Sequence, residues 1–150
     1  MDESSHAIFA RFFGGFSDIV RQASTTLAKA CGVDGRLDNA RLDEHQVSAY
    51  ELALSYAEYR AALVAWESMA GPASDLQRAL SAVYVATAIQ SIRVRLEPLL
   101  LALGIEPLDF DHILGGKELR SVLQFCLDPN RLADIGRRVI EVQADVGEIE

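Results

Sequence analysis

Two arginines interrupt the most apolar stretch of this 150-residue chain. Arg93 and Arg95 lie within residues 79–104, which are otherwise rich in leucine, isoleucine, valine and alanine. A guanidinium group in apolar surroundings needs a partner of opposite charge. We therefore expect both side chains to reach acidic residues on a neighbouring helix or on a partner surface. A phosphate ligand is the alternative.

Aromatic side chains form a second set of residues that could carry chemistry. Tyr50, Tyr56, Tyr59 and Trp66 follow one another at helical spacing and could line a flavin or acyl pocket. A stripe with this spacing is more often core or interface. Tyr56, Tyr59 and Trp66 therefore join the two arginines as interface candidates.

A glycine pair and a lysine open a predicted helix at Gly115-Gly116-Lys117. Free backbone amides and a lysine at a helix N-terminus can hold a phosphate. The complete phosphate-binding loop has an earlier glycine, and a serine or threonine after the lysine. Here Glu118 follows the lysine, so we interpret the segment as an ordinary glycine-rich helix start.

The histidines do not predict a metal site. Di-iron bundles use Glu-x-x-His pairs on two helices, and the pattern occurs here only at Glu3–His6. Asp109 and His112 share a predicted loop, while His45 reads as a surface histidine. No serine or cysteine is grouped with a histidine and a carboxylate, so no catalytic residue is predicted.

The elements that position these residues are four main helices and a short fifth. Their predicted ranges are 5–31, 38–70, 74–103, 117–127 and 130–143. The second should present one long face. That face comprises Leu42, Gln46, Ala49, Ala53, Tyr56, Tyr59, Leu63, Trp66 and Ala70. The third is apolar on nearly all sides, so it should lie at the centre of the bundle or against a second domain or subunit.

Local signals mark where these helices begin and end. Asp34-Gly35 predicts a turn, and Gly71-Pro72 ends the second helix. Residues 74–77, Ser-Asp-Leu-Gln, form a capping-box pattern for the third. Pro98 should kink or shorten that helix. Residues 104–116 are predicted to form a loop. The predicted fold is an all-α antiparallel bundle.

Composition narrows the possible functions and the compartment. The 150 residues and the 50% hydrophobic content indicate one domain, residues 1–150. The net charge of −8 argues against binding to nucleic acid or to an anionic membrane. Residues 144–150 could be a linker. The acidic N-terminus lacks the features of a secretory signal, and no transmembrane helix is predicted, so we expect a cytoplasmic protein. Cys31 and Cys126 should be reduced core residues.

One segment resembles a known family. It contains VDGRL at 33–37, LDEHQ at 42–46 and YELA at 50–53, followed by Ala57-Glu58 and Ala61-Ala62. This segment resembles helical domains of the acyl-CoA dehydrogenase family. It is most similar to the extra N-terminal helical region of bacterial members such as (2S)-methylsuccinyl-CoA dehydrogenase. The third helix also resembles the alanine-rich helix that ends in Leu-x-x-Gly in that family, and the resemblance covers residues 30–104.

The resemblance implies an accessory domain of an FAD-dependent enzyme. This chain has no counterpart of that family's catalytic glutamate or sheet domain. The family's Gly-Gly-x-Gly segment, which approaches FAD, is reduced here to Leu103-Gly104-Ile105. No catalytic or FAD-binding residue is therefore carried over, and FAD would be held by the rest of the intact enzyme. The expected function is packing or oligomerisation with the flavoenzyme core.

Two other functions remain open at the level of sequence. The chain could be a free-standing interaction protein, a homodimer in which the third helix meets its twin. It could also bind a small molecule along the tyrosine and tryptophan stripe. A self-contained enzyme is the least favoured interpretation, because no acid, base and binding site can be assembled from these residues.

Overall fold

The computed structural model describes residues 3–106 and 110–146, and it is all-α, as predicted. The helices are α1 (Glu3–Ala30), α2 (Asn39–Glu44), α3 (Gln46–Ser68), α4 (Asp75–Ala102), α5 (Asp111–Leu114), α6 (Lys117–Cys126) and α7 (Pro129–Val146). The strands are β1 (Gly32–Val33) and β2 (Arg36–Leu37). A short loop joins α3 and α4. These two helices pack along each other and form the most extensive helix–helix contact among the described residues.

Helix α4 lies at the centre, as its composition predicted. It packs against α3, α6 and α7. Its fully buried large residues recur at helical spacing: Val85, Ile89, Ile92, Leu96 and Leu100. One side of the helix nevertheless stays open, because Val94 and Leu101 are exposed. The expected burial on most sides is therefore present, and this one side is exposed within the chain.

The predicted helix over residues 38–70 is two helices, and this is a correction. The chain leaves helical geometry at His45, which has φ −104° and ψ 12° and joins α2 to α3. The buried face of α3 comprises Leu52, Ser55, Tyr59 and Ala62. The predicted face was also wrong in part, since Leu42, Ala53 and Tyr56 are exposed. Because α3 packs on both α1 and α4, its buried residues do not form the single face that the sequence predicted.

The helix ends follow their local signals closely. Ser74 and Gln77 form the predicted capping box, with Gln77 N donating to Ser74 Oγ at 3.2 Å and Ser74 N donating to Gln77 Oε1 at 2.7 Å. Pro98 does not end α4, which continues to Ala102. Gly104, at φ +68°, then takes the left-handed conformation that commonly follows a helix end.

The Asp34-Gly35 turn connects a small antiparallel hairpin. Asp34 and Gly35 have φ values of 49° and 76°, which suit the two-residue turns that match the twist of paired strands. Gly32 pairs with Leu37, and Val33 pairs with Arg36. The sequence predicted this turn but neither strand.

The segment predicted as a loop over 104–116 contains α5. Its Ile113 packs against Gly15 of α1, where an added Cβ would lie 2.6 Å from Ile113 Cδ1. The glycine that weakens α1 as an isolated helix thus permits the close approach of α5. Helices α6 and α7 match their predicted ranges within a few residues.

Candidate functional site

An open groove of about 860 Å³ lies between α3 and α4. We call it the α3–α4 groove. It runs between the N-terminal half of α3 and the C-terminal half of α4. Its lining residues are Val47, Ser48, Glu51, Thr87, Gln90, Ser91, Val94, Arg95, Pro98, Leu99 and Ala102.

Arg95 joins two carboxylates from the facing helix beside this groove. Its Nε lies 3.0 Å from Glu51 Oε2, and its Nη1 donates to Glu58 Oε2 at 2.6 Å. Its Nη2 donates to Ser91 Oγ at 3.0 Å, and that hydroxyl donates to Glu58 Oε1 at 3.2 Å. Arg95 therefore reaches acidic residues of a neighbouring helix, as expected. We call these four residues the Arg95 network.

The position of each group in the network follows from helix geometry. Glu51 and Glu58 are seven residues apart, which places both carboxylates on the same face of α3. Ser91 and Arg95 are four apart and face them from α4. Two carboxylates share one guanidinium, so the network carries one net negative charge. The side chains remain partly solvated, with 18% of Arg95 and about a third of each carboxylate exposed.

Apolar side chains flank this charged network. Val47 at the start of α3 is 75% exposed, and Val94 on α4 is 71% exposed. Pro98 and Ala102 continue the surface along α4. Pro98 has no amide hydrogen, so it cannot donate a helical hydrogen bond to the carbonyl oxygen of Val94, four residues earlier. The groove thus combines an apolar rim with hydrogen-bonding groups at its centre.

The aromatic candidates fall into two different environments. Tyr59 is buried, and its hydroxyl donates to the carbonyl oxygen of Phe13 at 3.1 Å. Its ring stacks on Phe16 with 4.5 Å between centroids, while Trp66 stacks on Phe13 at 5.1 Å. Tyr56 is exposed. Tyr59 and Trp66 therefore belong to a layer between α1 and α3 and not to the lining of the groove.

Arg93 lies away from the Arg95 network, in a cleft that it shares with Arg120 of α6. Burial lowers the pKa of Arg93, and the like charge of Arg120 lowers it further. Glu97 and Asp111 act in the opposite direction. Among the side chains that the structure describes, residues 6–106 and 110–142, no carboxylate lies within 4.0 Å of the Arg93 guanidinium. The structure therefore separates the two arginines that the sequence groups together.

The remaining sequence candidates are dispersed. His45 lies at the junction of α2 and α3, Lys117 opens α6 on the surface, and His112 is exposed on α5. Asp109 lies outside the described residues. Within the described ranges, no group of three histidine, cysteine or acidic side chains could hold a metal ion.

Both cysteines are free and buried, as predicted. Burial raises the pKa of the Cys126 thiol above its usual value, so this thiol is unreactive near neutral pH. The described helices also include none with an apolar run long enough to cross a membrane.

Sequence reasoning missed Glu51, Glu58 and Ser91 as site residues. Their signal was present in part, since the two glutamates are one heptad apart and Ser91 precedes Arg95 by one helical turn. What the sequence did not give was which face of α3 meets which face of α4.

No protein-family model matches this chain, and no curated protein matches it.

Proposed function

We propose that this chain is a non-catalytic helical accessory domain that binds, through the α3–α4 groove, the core of an acyl-CoA dehydrogenase-like flavoenzyme. FAD and the catalytic groups would belong to that core. The observation that carries the proposal is the groove itself, in which exposed Val47 and Val94 flank the half-buried Arg95 network.

The chemistry of the groove suits a protein partner. A helix laid against Val47, Val94 and Leu101 would remove apolar surface from water, the main favourable contribution to association. The net negative charge of the network would favour a basic side chain on that helix. The network is already paired within the chain, so it can fix the orientation of a partner without a large desolvation cost.

The type of partner rests on the sequence resemblance. The quoted residues extend over the hairpin, α2 and residues 46–62 of α3, and the resemblance as a whole covers residues 30–104. Several apolar side chains there are exposed: Val33, Leu37, Leu42, Val47 and Tyr50. Together with the groove they add exposed apolar surface, so a surface larger than one helix could be covered. This supports a role in packing or oligomerisation of a larger enzyme.

A second candidate is a homodimerisation module. The exposed side of α4, with Val94 and Leu101, could pack on the same side of a second copy about a two-fold axis. In that case the groove would bind its twin, and no flavoenzyme would be required.

Purification of the native protein from its source, through a tag on this chain, tests both candidates. The flavoenzyme proposal expects a flavin absorbance band and a flavoenzyme polypeptide in the purified material. Val94→Asp should remove both, because it places a charge in the contact. Ile140→Asp, at a residue 68% exposed on α7, is the matched control and should retain them.

The other outcomes are also decisive. A colourless dimer that Val94→Asp dissociates would support homodimerisation and reject the flavoenzyme. A colourless monomer would reject both. Retention of the flavoenzyme by Val94→Asp would show that the groove is not its binding surface.

A further inference from the structure

A second cleft adjoins the α3–α4 groove, with which it shares Gln90 and Val94, but it does not include the Arg95 network. Arg93 of α4 and Arg120 of α6 line a cavity of about 600 Å³ and also a smaller adjoining one of about 90 Å³. Gln90 and Gln124 line the larger cavity from the same two helices. We call this region the arginine cleft. It places two guanidinium groups, two carboxamides and the carboxylates of Glu97 and Asp128 around one space.

The two arginines of this cleft share it with carboxylates that they do not contact closely. Over the described residues, neither guanidinium makes an ion pair within 4.0 Å, whereas Arg95 pairs with two carboxylates. Burial and the like charge of Arg120 disfavour the charged form of Arg93, which lowers its pKa. Glu97 and Asp111 attract Arg93 without contacting it. An anion bound between the two guanidinium groups would therefore favour the charged form of Arg93.

The third carboxylate at the cleft is already engaged. Asp128 lines the larger cavity, but its Oδ1 accepts hydrogen bonds from Asn130 N at 3.0 Å and Arg131 N at 3.1 Å. It serves as the N-terminal cap of α7 and is satisfied there. It keeps its negative charge, but it makes no ion pair within 4.0 Å with either arginine.

We propose that the arginine cleft binds the phosphate group of an organic phosphate, held by Arg93 and Arg120. Guanidinium groups donate paired hydrogen bonds to phosphate oxygens. Because the two arginines come from different helices, they approach an anion from two directions. A phosphate offers oxygens in several directions, whereas a carboxylate offers two in one plane. Leu123 and Leu127 provide an apolar wall for the remainder of the ligand.

This site does not depend on the proposed flavoenzyme partner, so it can be tested on the isolated full chain. Calorimetric titration and thermal unfolding would be measured with inorganic phosphate, against chloride and acetate at equal ionic strength and pH. We expect saturable phosphate binding, a rise in the unfolding midpoint with phosphate, and no such response to acetate. Phosphate also stabilises proteins without binding them, so matched variants are needed.

Arg93→Gln and Arg120→Gln should each weaken phosphate binding by about tenfold or more, the loss typical of one charge-assisted contact. Arg78→Gln is the control. It removes the same charge from α4 at an exposed position, about 22 Å along the helix from Arg93 at 1.5 Å per residue. It should bind phosphate as the unmodified chain does. In chloride, Arg93→Gln should unfold at the same or a higher temperature, because it removes a half-buried charge that makes no close ion pair.

Three results would overturn the proposal. One is the absence of a saturable phosphate response in the unmodified chain. Another is equal binding by Arg93→Gln and Arg78→Gln, which would place the anion elsewhere. The third is an equal response to acetate, which would mean that the cleft does not select phosphate.

Discussion

Helix α3 makes two contacts of opposite character. Towards α1 its side chains form a layer of stacked rings, in which Tyr59 lies against Phe16 and Trp66 against Phe13. Towards α4 its first half contributes Glu51 and Glu58 to an ion-pair network beside an open groove. The first contact is apolar and closed. The second is closely packed over most of its length, but the part that contains the Arg95 network is charged, partly solvated and open to a partner.

The difference lies in the source of the free energy. Burial of aromatic rings stabilises the fold in proportion to the apolar area removed from water, and stacked pairs add a further contribution. A partly exposed ion pair contributes little, because solvation of the separated charges nearly offsets their attraction. The aromatic layer should therefore carry stability, while the groove can carry binding at little cost to the fold.

The largest expected effect is on the aromatic side. Phe16 has no exposed surface, so Phe16→Ala should lower the free energy of unfolding by about 3–5 kcal/mol through lost burial and a cavity. Chemical denaturation followed by circular dichroism measures this. Phe125, which is 51% exposed, provides the matched control, and Phe125→Ala should cost less than about 1 kcal/mol. Equal losses would contradict the assignment of stability to the aromatic layer.

Substitution at the centre of the groove should cost less. Arg95→Met leaves the carboxylates of Glu51 and Glu58 facing each other without their shared guanidinium. We expect a loss of about 1–2 kcal/mol in the free energy of unfolding, reduced from the fully buried case by solvent access. Arg21 forms an exposed pair with Asp18, so Arg21→Met should change the same quantity by less than about 0.5 kcal/mol. If the two losses match, the network behaves as an ordinary surface pair.

Much of the fold could be predicted because its signals are local. The capping box at Ser74 and Gln77 and the turn at Asp34-Gly35 each depend on a few adjacent residues, and both are present. The break at His45 lacks such a signal, since neither glycine nor proline stands near it. Helix α5 lies in a segment whose glycines and proline predicted a loop. Its packing of Ile113 against Gly15 joins distant parts of the chain.

The candidate site could be predicted only in part, for a related reason. An arginine in an apolar helix demands a partner, and that requirement correctly predicted an acidic neighbour for Arg95. The identity of the neighbour depends on which residues of α3 face α4. The break at His45 changes that set of residues relative to one continuous helix. Arg93, two residues away, lies on a different side of α4 and shares a cavity with Arg120. Spacing alone does not distinguish these two environments.

The smallest expected effect separates the two carboxylates of the groove. Glu51 contacts Arg95 alone, whereas Glu58 accepts hydrogen bonds from both Arg95 and Ser91. Glu51→Gln removes the excess negative charge and leaves the bond to Glu58, so unfolding free energy should change by less than about 0.5 kcal/mol. Glu58→Gln should cost about 1 kcal/mol, because two donors lose a charged acceptor. Urea denaturation of the two single variants and the double variant measures both values. A loss for Glu51→Gln as large as that for Arg95→Met would show that the open side of α3 also contributes to stability, and would remove the contrast with the aromatic side.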